Sequence, residues 1–69
     1  MEIKQLFDAP TVAVLRRALD DVVSDKRVRR RNSVSTLEIA EHILAQAARG
    51  ERDIERLKAS AFARLGIAA

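Results

Sequence analysis

The sequence predicts an all-α protein in which the single domain 1–69 forms a small three-helix bundle. Three observations support this fold class. Apolar residues recur with a period of 3.6 in three segments. Each of these segments begins with a side chain that can cap a helix. The chain has no Asn-Gly or Asp-Gly hairpin turn, and alanine, the best helix former, accounts for twelve of its 69 residues.

The first helix is predicted over about residues 8–25. Asp8 is a suitable N-cap, and Pro10 falls in the first turn, where its missing N–H is not needed. Phe7 and Val12 flank this start with the spacing of a hydrophobic staple. The chain is therefore expected to enter this helix at a fixed angle.

The second helix is predicted over about residues 35–49 and has the clearest start in the chain. Ser35 and Glu38 have the spacing of a capping box, in which the Ser35 hydroxyl accepts from the Glu38 amide. Gly50 follows the helix and can adopt the positive φ that ends it.

The third helix is predicted over about residues 53–65, with Asp53 as its N-cap. Gly66 follows the last apolar position and is suited to end the helix. Ile67 comes next, where an apolar side chain can pack back on the last turn.

The apolar positions of these helices define the predicted core. Its members are Leu15, Leu19, Val22, Leu37, Ala40, Ile43, Leu44, Ala47, Ile54, Leu57, Ala61 and Leu65. The segment 1–7 either adds Ile3 and Leu6 to this core or frays. On the first two helices the apolar arc spans about half of the helical wheel, wider than the minimal stripe of about 100°. Val14 and Ile39 lie at the margins of these arcs, which are covered either by a second neighbour within the bundle or by a homodimer interface.

The net charge of +3 is concentrated in one segment. Residues 26–34 carry five basic and no acidic side chains, whereas residues 1–25 sum to −2 and residues 35–69 sum to zero. The basic side chains are Lys26, Arg27, Arg29, Arg30 and Arg31. We expect residues 26–34 to form a loop, either throughout or with a part that extends the first helix and brings Val28 near its apolar stripe. This basic loop is either a solvated connection or a contact for nucleic-acid phosphates.

The second and third helices can be compared with a DNA-binding helix-turn-helix. The connection from Arg49 to Asp53 is charged and slightly longer than the tight turn of that motif. The third helix carries a mixed-charge face, and it contains no Asn or Gln that could read adenine. The sequence therefore disfavours a recognition helix, and the basic loop is the candidate contact for nucleic acid.

Catalytic, metal and membrane functions find little support in the sequence. The chain has no cysteine, no glycine-rich phosphate loop and no serine nucleophile elbow. We therefore expect no enzyme activity, no cofactor or metal, and no small-molecule substrate. His42, the only histidine, is predicted on the polar surface of the second helix. No window approaches the roughly 18 apolar residues of a membrane span, and the first residues lack the apolar region of a signal peptide, so a cytoplasmic protein is expected.

Two segments resemble short uncharacterised helical proteins of alphaproteobacteria. One segment runs from Ala48 to Lys58 and contains the turn Gly-Glu-Arg-Asp. The other begins with the Leu-Phe-Asp sequence at Leu6. Ile54 occupies a place where those proteins often have proline. The resemblance implies a bacterial cytoplasmic protein and carries over no catalytic or binding residue.

Two functions from different classes follow as hypotheses. The first is a non-enzymatic interaction module that binds a protein partner or a second copy of itself through the apolar margins at Val14 and Ile39. The second is a nonspecific nucleic-acid-binding or small transcription-associated protein that uses the basic loop. The wide apolar arcs on two helices favour the first hypothesis.

Overall fold

Three long helices and one short helix form the described part of the chain, residues 7–31 and 34–67 of the computed structural model. They are α1 (Ala9–Val23), α2 (Lys26–Arg29), α3 (Thr36–Ala48) and α4 (Ile54–Arg64). The three long helices pack on one another, and the described residues contain no strand. The predicted all-α bundle is therefore confirmed. The alternatives for the segment 1–7 fall outside the described residues, apart from Phe7.

Each long helix begins next to the capping residue that the sequence predicts. The Asp8 carboxylate accepts from the Thr11 amide at 2.9 Å, and the Ser35 hydroxyl accepts from the Glu38 amide at 3.4 Å. Asp53 caps α4 in the same way. These side chains occupy amides that the first turn of a helix leaves without a backbone partner.

Glycines end α3 and α4 as predicted. Gly50 has a φ of 105° and Gly66 a φ of 73°, which side chains with a Cβ rarely adopt. After α4, the Ile67 amide donates to the Phe62 oxygen at 2.9 Å and the Gly66 amide to the Ala63 oxygen at 3.0 Å. This is the hydrogen-bond pattern of a Schellman motif, and the buried Ile67 side chain packs back on the bundle.

Residues 26–31, the described part of the predicted loop next to α1, do not form a simple loop. α2 lies within them and is separated from α1 by Ser24 and Asp25. The Asp25 carboxylate accepts from the Arg27 amide at 2.8 Å and caps a new helix start. Val28 is 5% exposed and packs into the core. α2 is therefore a separate helical turn whose one apolar residue, Val28, is buried, and it is not an extension of α1.

The core lies between the three long helices. Its buried side chains are Phe7, Leu15, Ala18, Val22, Val28, Ile39, Ile43, Ala47, Leu57, Ala61, Phe62 and Ile67. The predicted core residues Leu19, Ala40, Leu44, Ile54 and Leu65 are half-buried at its edge. The prediction for Leu37 is wrong, because this side chain is 68% exposed. Ile39, two residues later and about 160° away around the helix, is 3% exposed in its place.

Contacts at the helix ends show how the helices are oriented. Phe7, just before α1, lines a surface pocket with Ala47 and Ala48 at the end of α3. α1 and α3 are therefore antiparallel. Arg27 of α2 lies over the Phe62 ring near the end of α4. The basic residues of α2 thus lie at the end of the bundle where α4 finishes.

Candidate functional site

α2 and its C-cap Arg30 present three basic side chains on one face. Lys26, Arg29 and Arg30 are exposed, and their spacing of i, i+3 and i+4 places them on the same side of a helix. Val28 lies on the opposite side and is buried. We call Lys26, Arg29 and Arg30 the basic ridge. The burial of Val28 fixes the direction in which the ridge faces solvent.

Arg27 belongs to the same basic run, and its exposed side chain makes contacts with the fold. Its Nε and Nη2 donate to the two Asp25 carboxylate oxygens at 3.0 and 3.1 Å. The guanidinium carbon also lies 5.0 Å from the centroid of the Phe62 ring, within the range of a cation–π contact. Hydrogen bonds from Arg27 lower the pKa of the Asp25 carboxyl, and the same bonds raise the pKa of Arg27.

Arg31 also has a structural contact. Its Nη1 donates to the backbone oxygen of Leu65, the residue that caps the end of α4. The last carbonyl groups of a helix have no partner within it, so a basic side chain at this place is stabilising. All five basic residues predicted as an anion contact are exposed, and two of them, Arg27 and Arg31, also make contacts within the fold.

An apolar groove runs between α1 and α3. Its volume is about 240 Å³. The lining residues are Val12, Leu15, Arg16, Leu19, Ala40, Ile43 and Leu44. Among these, Arg16 is the one charged residue. Leu37 lies three residues before Ala40, and Ala40 lies four residues before Leu44, so the three side chains share one face of α3. The exposed Leu37 therefore continues the α3 wall of the groove.

The two predicted interface residues, Ile39 and Val14, do not line the groove. Ile39 is 3% exposed and belongs to the core, so it is not available to a partner. Val14 is half-buried against the core and does not line the groove. Both side chains thus pack against the core of the bundle. The open apolar surface lies instead at Leu37 and the groove.

His42 is not the solvated residue that the sequence predicts. It is half-buried, and its Nε2 lies 2.7 Å from the Ser60 Oγ on α4. A histidine and a serine at this distance can act as base and nucleophile when a substrate reaches them. The neighbouring cavity, which His42 lines with Glu38 and Arg64, has a volume of only about 10 Å³. This is the room that a single water needs, so the pair is a contact between helices.

A charged cluster joins α1 to α4. The Asp21 carboxylate lies 3.2 Å from the Arg17 Nε and 3.3 Å from the Lys58 Nζ. Partial burial alone would raise the pKa of Asp21, but the bonds from Lys58 and Arg17 outweigh it, and the pKa is lowered. In the described ranges, no three His, Cys, Asp or Glu side chains are grouped to hold a metal ion. The cluster is therefore accounted for as a link between two helices.

Sequence reasoning missed Leu37 and Arg16 as surface residues of interest. Leu37 fits the apolar period of α3, and the period alone does not tell which margin of a wide arc faces a neighbouring helix.

The chain matches no protein-family model, no curated protein and no solved structure. Within residues 7–31 and 34–67, no helix combines the length and the apolar character needed to cross a membrane. The basic ridge and the apolar groove are therefore interpreted from their own chemistry.

Proposed function

We propose that this chain is a small non-enzymatic helical interaction module that pairs with a second copy of itself through the apolar groove. The observation that carries the proposal is the 68% exposure of Leu37 beside a groove with apolar walls. Removing apolar surface from water favours association. A leucine and a groove on the same face therefore favour a partner with an apolar surface.

A second copy supplies that surface. A twofold dimer uses the same patch on both subunits, so the patch has to be complementary to itself. Here one face holds both a projecting side chain, Leu37, and a recess. In this arrangement the Leu37 side chain of one copy enters the groove of the other, whose volume is about 240 Å³.

The charges around the groove are also compatible with self-pairing. Arg16 lines the groove on α1, and the exposed Glu41 lies one turn after Leu37 on α3. Because both signs occur on this face, two copies can meet without a surplus of like charge. A chain of 69 residues also has little core of its own, and oligomerisation is a common way for such a chain to bury more apolar surface.

The non-enzymatic part of the proposal is supported by the small size of the space beside His42 and Ser60. That cavity of about 10 Å³ does not admit a substrate. We place the protein in the cytoplasm, where a chain without cysteine loses no stability from the reducing conditions. The resemblance to alphaproteobacterial proteins supports the same location.

Sedimentation equilibrium over a wide range of protein concentration tests the proposal. We expect the wild-type mass to rise from monomer to dimer with concentration. Leu37→Glu should remain monomeric, because it places a charge in the apolar contact. Ala13→Glu is the matched control, since Ala13 is an exposed residue of α1 that does not line the groove. It should associate like the wild type.

Both substitutions are at exposed positions, so far-UV circular dichroism should show the same helical content in each variant. A wild-type protein that stays monomeric at every concentration would overturn self-pairing. Equal association of Leu37→Glu and the wild type would overturn the assignment to the groove.

A further inference from the structure

We infer that the basic ridge binds the phosphate backbone of double-stranded nucleic acid. This binding is separate from the proposed self-pairing, because the ridge shares no residue with the apolar groove. The first argument is geometric. Lys26, Arg29 and Arg30 lie on one face of α2, and residues with this spacing have Cβ atoms only about 5–6 Å apart.

The second argument concerns which charges are available. Asp25, the acidic residue next to the ridge, is occupied by the guanidinium of Arg27. Arg31 is directed to the end of α4 through the Leu65 oxygen. The three ridge side chains are exposed. The Asp25 carboxylate and the Leu65 carbonyl oxygen already accept hydrogen bonds from Arg27 and Arg31. Arg30 also lines an open surface cleft together with Arg27 and Arg31.

The third argument selects the type of polymer. Single-strand binders stack bases on exposed aromatic rings. Phe7 and Phe62, the only aromatic residues of the chain, are 7% and 9% exposed, so neither offers such a platform. A membrane surface site combines basic residues with apolar side chains that enter the lipid. On α2 the apolar residue, Val28, faces the core. A duplex carries one negative charge for about every 1.7 Å of its axis, so basic side chains can bind its phosphates without aromatic or apolar contacts.

The mode of binding follows from the same chemistry. Basic side chains on phosphates position a protein on the duplex but read no sequence. The exposed residues of α4 include the acidic Glu55 next to the basic Arg56, so this helix does not offer a basic surface for reading base edges. The expected interaction is therefore weak, indifferent to sequence and strongly dependent on salt.

Fluorescence anisotropy with a labelled random-sequence duplex tests this inference. The logarithm of the association constant falls with the logarithm of the salt concentration, with a slope of about −0.9 for each neutralised phosphate. If the ridge neutralises three phosphates, the association constant should fall about 40-fold between 50 and 200 mM salt. Arg29→Ser combined with Arg30→Ser should make this logarithmic slope less negative by about 2. This double variant keeps Val28, Arg27 and Arg31, which hold α2 in place.

The matched control is Arg49→Ser combined with Arg56→Ser. It removes the same charge from exposed positions at the end of α3 and the start of α4, away from α2. This control should bind the duplex with the wild-type salt dependence. Equal weakening of the two double variants would overturn the assignment to the ridge, because net charge alone would then explain binding.

Two further arms separate the duplex from other anionic ligands. Single-stranded DNA of random sequence and phosphatidylserine vesicles are titrated under the same conditions. Weaker binding to both than to the duplex supports the inference. Tighter binding to either of them, or no binding to the duplex at 50 mM salt, overturns it. Neither result depends on dimer formation, which the Leu37→Glu variant tests separately.

Discussion

The guanidinium carbon of Arg27 lies 5.0 Å from the centroid of the Phe62 ring while its nitrogens donate to Asp25. This arrangement joins α2 to α4, two helices that are far apart in sequence. A residue of the basic run is thus also part of the tertiary structure. Arg27 and the ridge residues should therefore differ in their contribution to the free energy of unfolding.

Arg27→Ser should lower the free energy of unfolding, because it removes the ion pair with Asp25 and the contact with Phe62 together. Arg29→Ser should leave the free energy of unfolding within about 0.5 kcal/mol of the wild-type value, since Arg29 is an exposed residue of the ridge. Urea unfolding followed by circular dichroism measures both. Equal unfolding midpoints for the two variants would show that Arg27 has no structural role.

The helices themselves follow closely from local signals in the sequence. Asp8, Ser35 and Asp53 cap the three long helices, and Gly50 and Gly66 follow two of them. These features are encoded within a few residues and depend little on the rest of the fold.

The features that the sequence analysis missed depend on contacts between distant residues. Whether Leu37 or Ile39 faces the core depends on where α1 and α4 pack against α3, which no local pattern contains. The structural contacts of Arg27 and Arg31 depend in the same way on the position of α4. From charge alone, all five basic residues of the run are equivalent.

The revised core makes a prediction about two leucines. Leu57→Ala should lower the free energy of unfolding by about 2–5 kcal/mol, because Leu57 is 0% exposed and its truncation leaves a cavity. Leu37→Ala should change it by less than about 0.5 kcal/mol when measured at a concentration at which the protein is monomeric. Urea unfolding of both variants would contradict the assigned core if their order were reversed.

Gly66 is expected to be intolerant of a side chain for conformational reasons. Its φ of 73° is unfavourable for alanine, although a Cβ there would have only the Arg31 Nη1 nearby, at 4.0 Å. Gly66→Ala should therefore lower the free energy of unfolding by about 1 kcal/mol through backbone strain rather than through a clash. Thermal melting gives this difference, and a melting temperature equal to that of the wild type would show that the Schellman turn is not strained by alanine.

Acid should weaken the capping of α2. Hydrogen bonds from Arg27 lower the pKa of Asp25 in the folded protein. A carboxyl with a lowered pKa contributes stability above its unfolded pKa of about 3.9, and this contribution is lost as the pH falls through the folded pKa. Wild-type stability should therefore decrease below about pH 4.

Asp25→Asn isolates this effect, because asparagine still caps a helix but does not titrate. The wild type should be more stable than Asp25→Asn at neutral pH, and the difference should shrink in acid. Urea unfolding at neutral and acidic pH measures the difference. A difference that does not change with pH would show that the Asp25 charge does not contribute.

Methyl chemical shifts recorded along a dilution series test self-pairing through the groove most directly. With isotope-labelled leucine and valine methyl groups, we expect the signals of Leu37, Leu44 and Leu19 to shift with protein concentration. The signals of the buried Leu57 should not shift. Signals that are all independent of concentration, or shifts at Val14 without shifts at Leu37, would contradict the account.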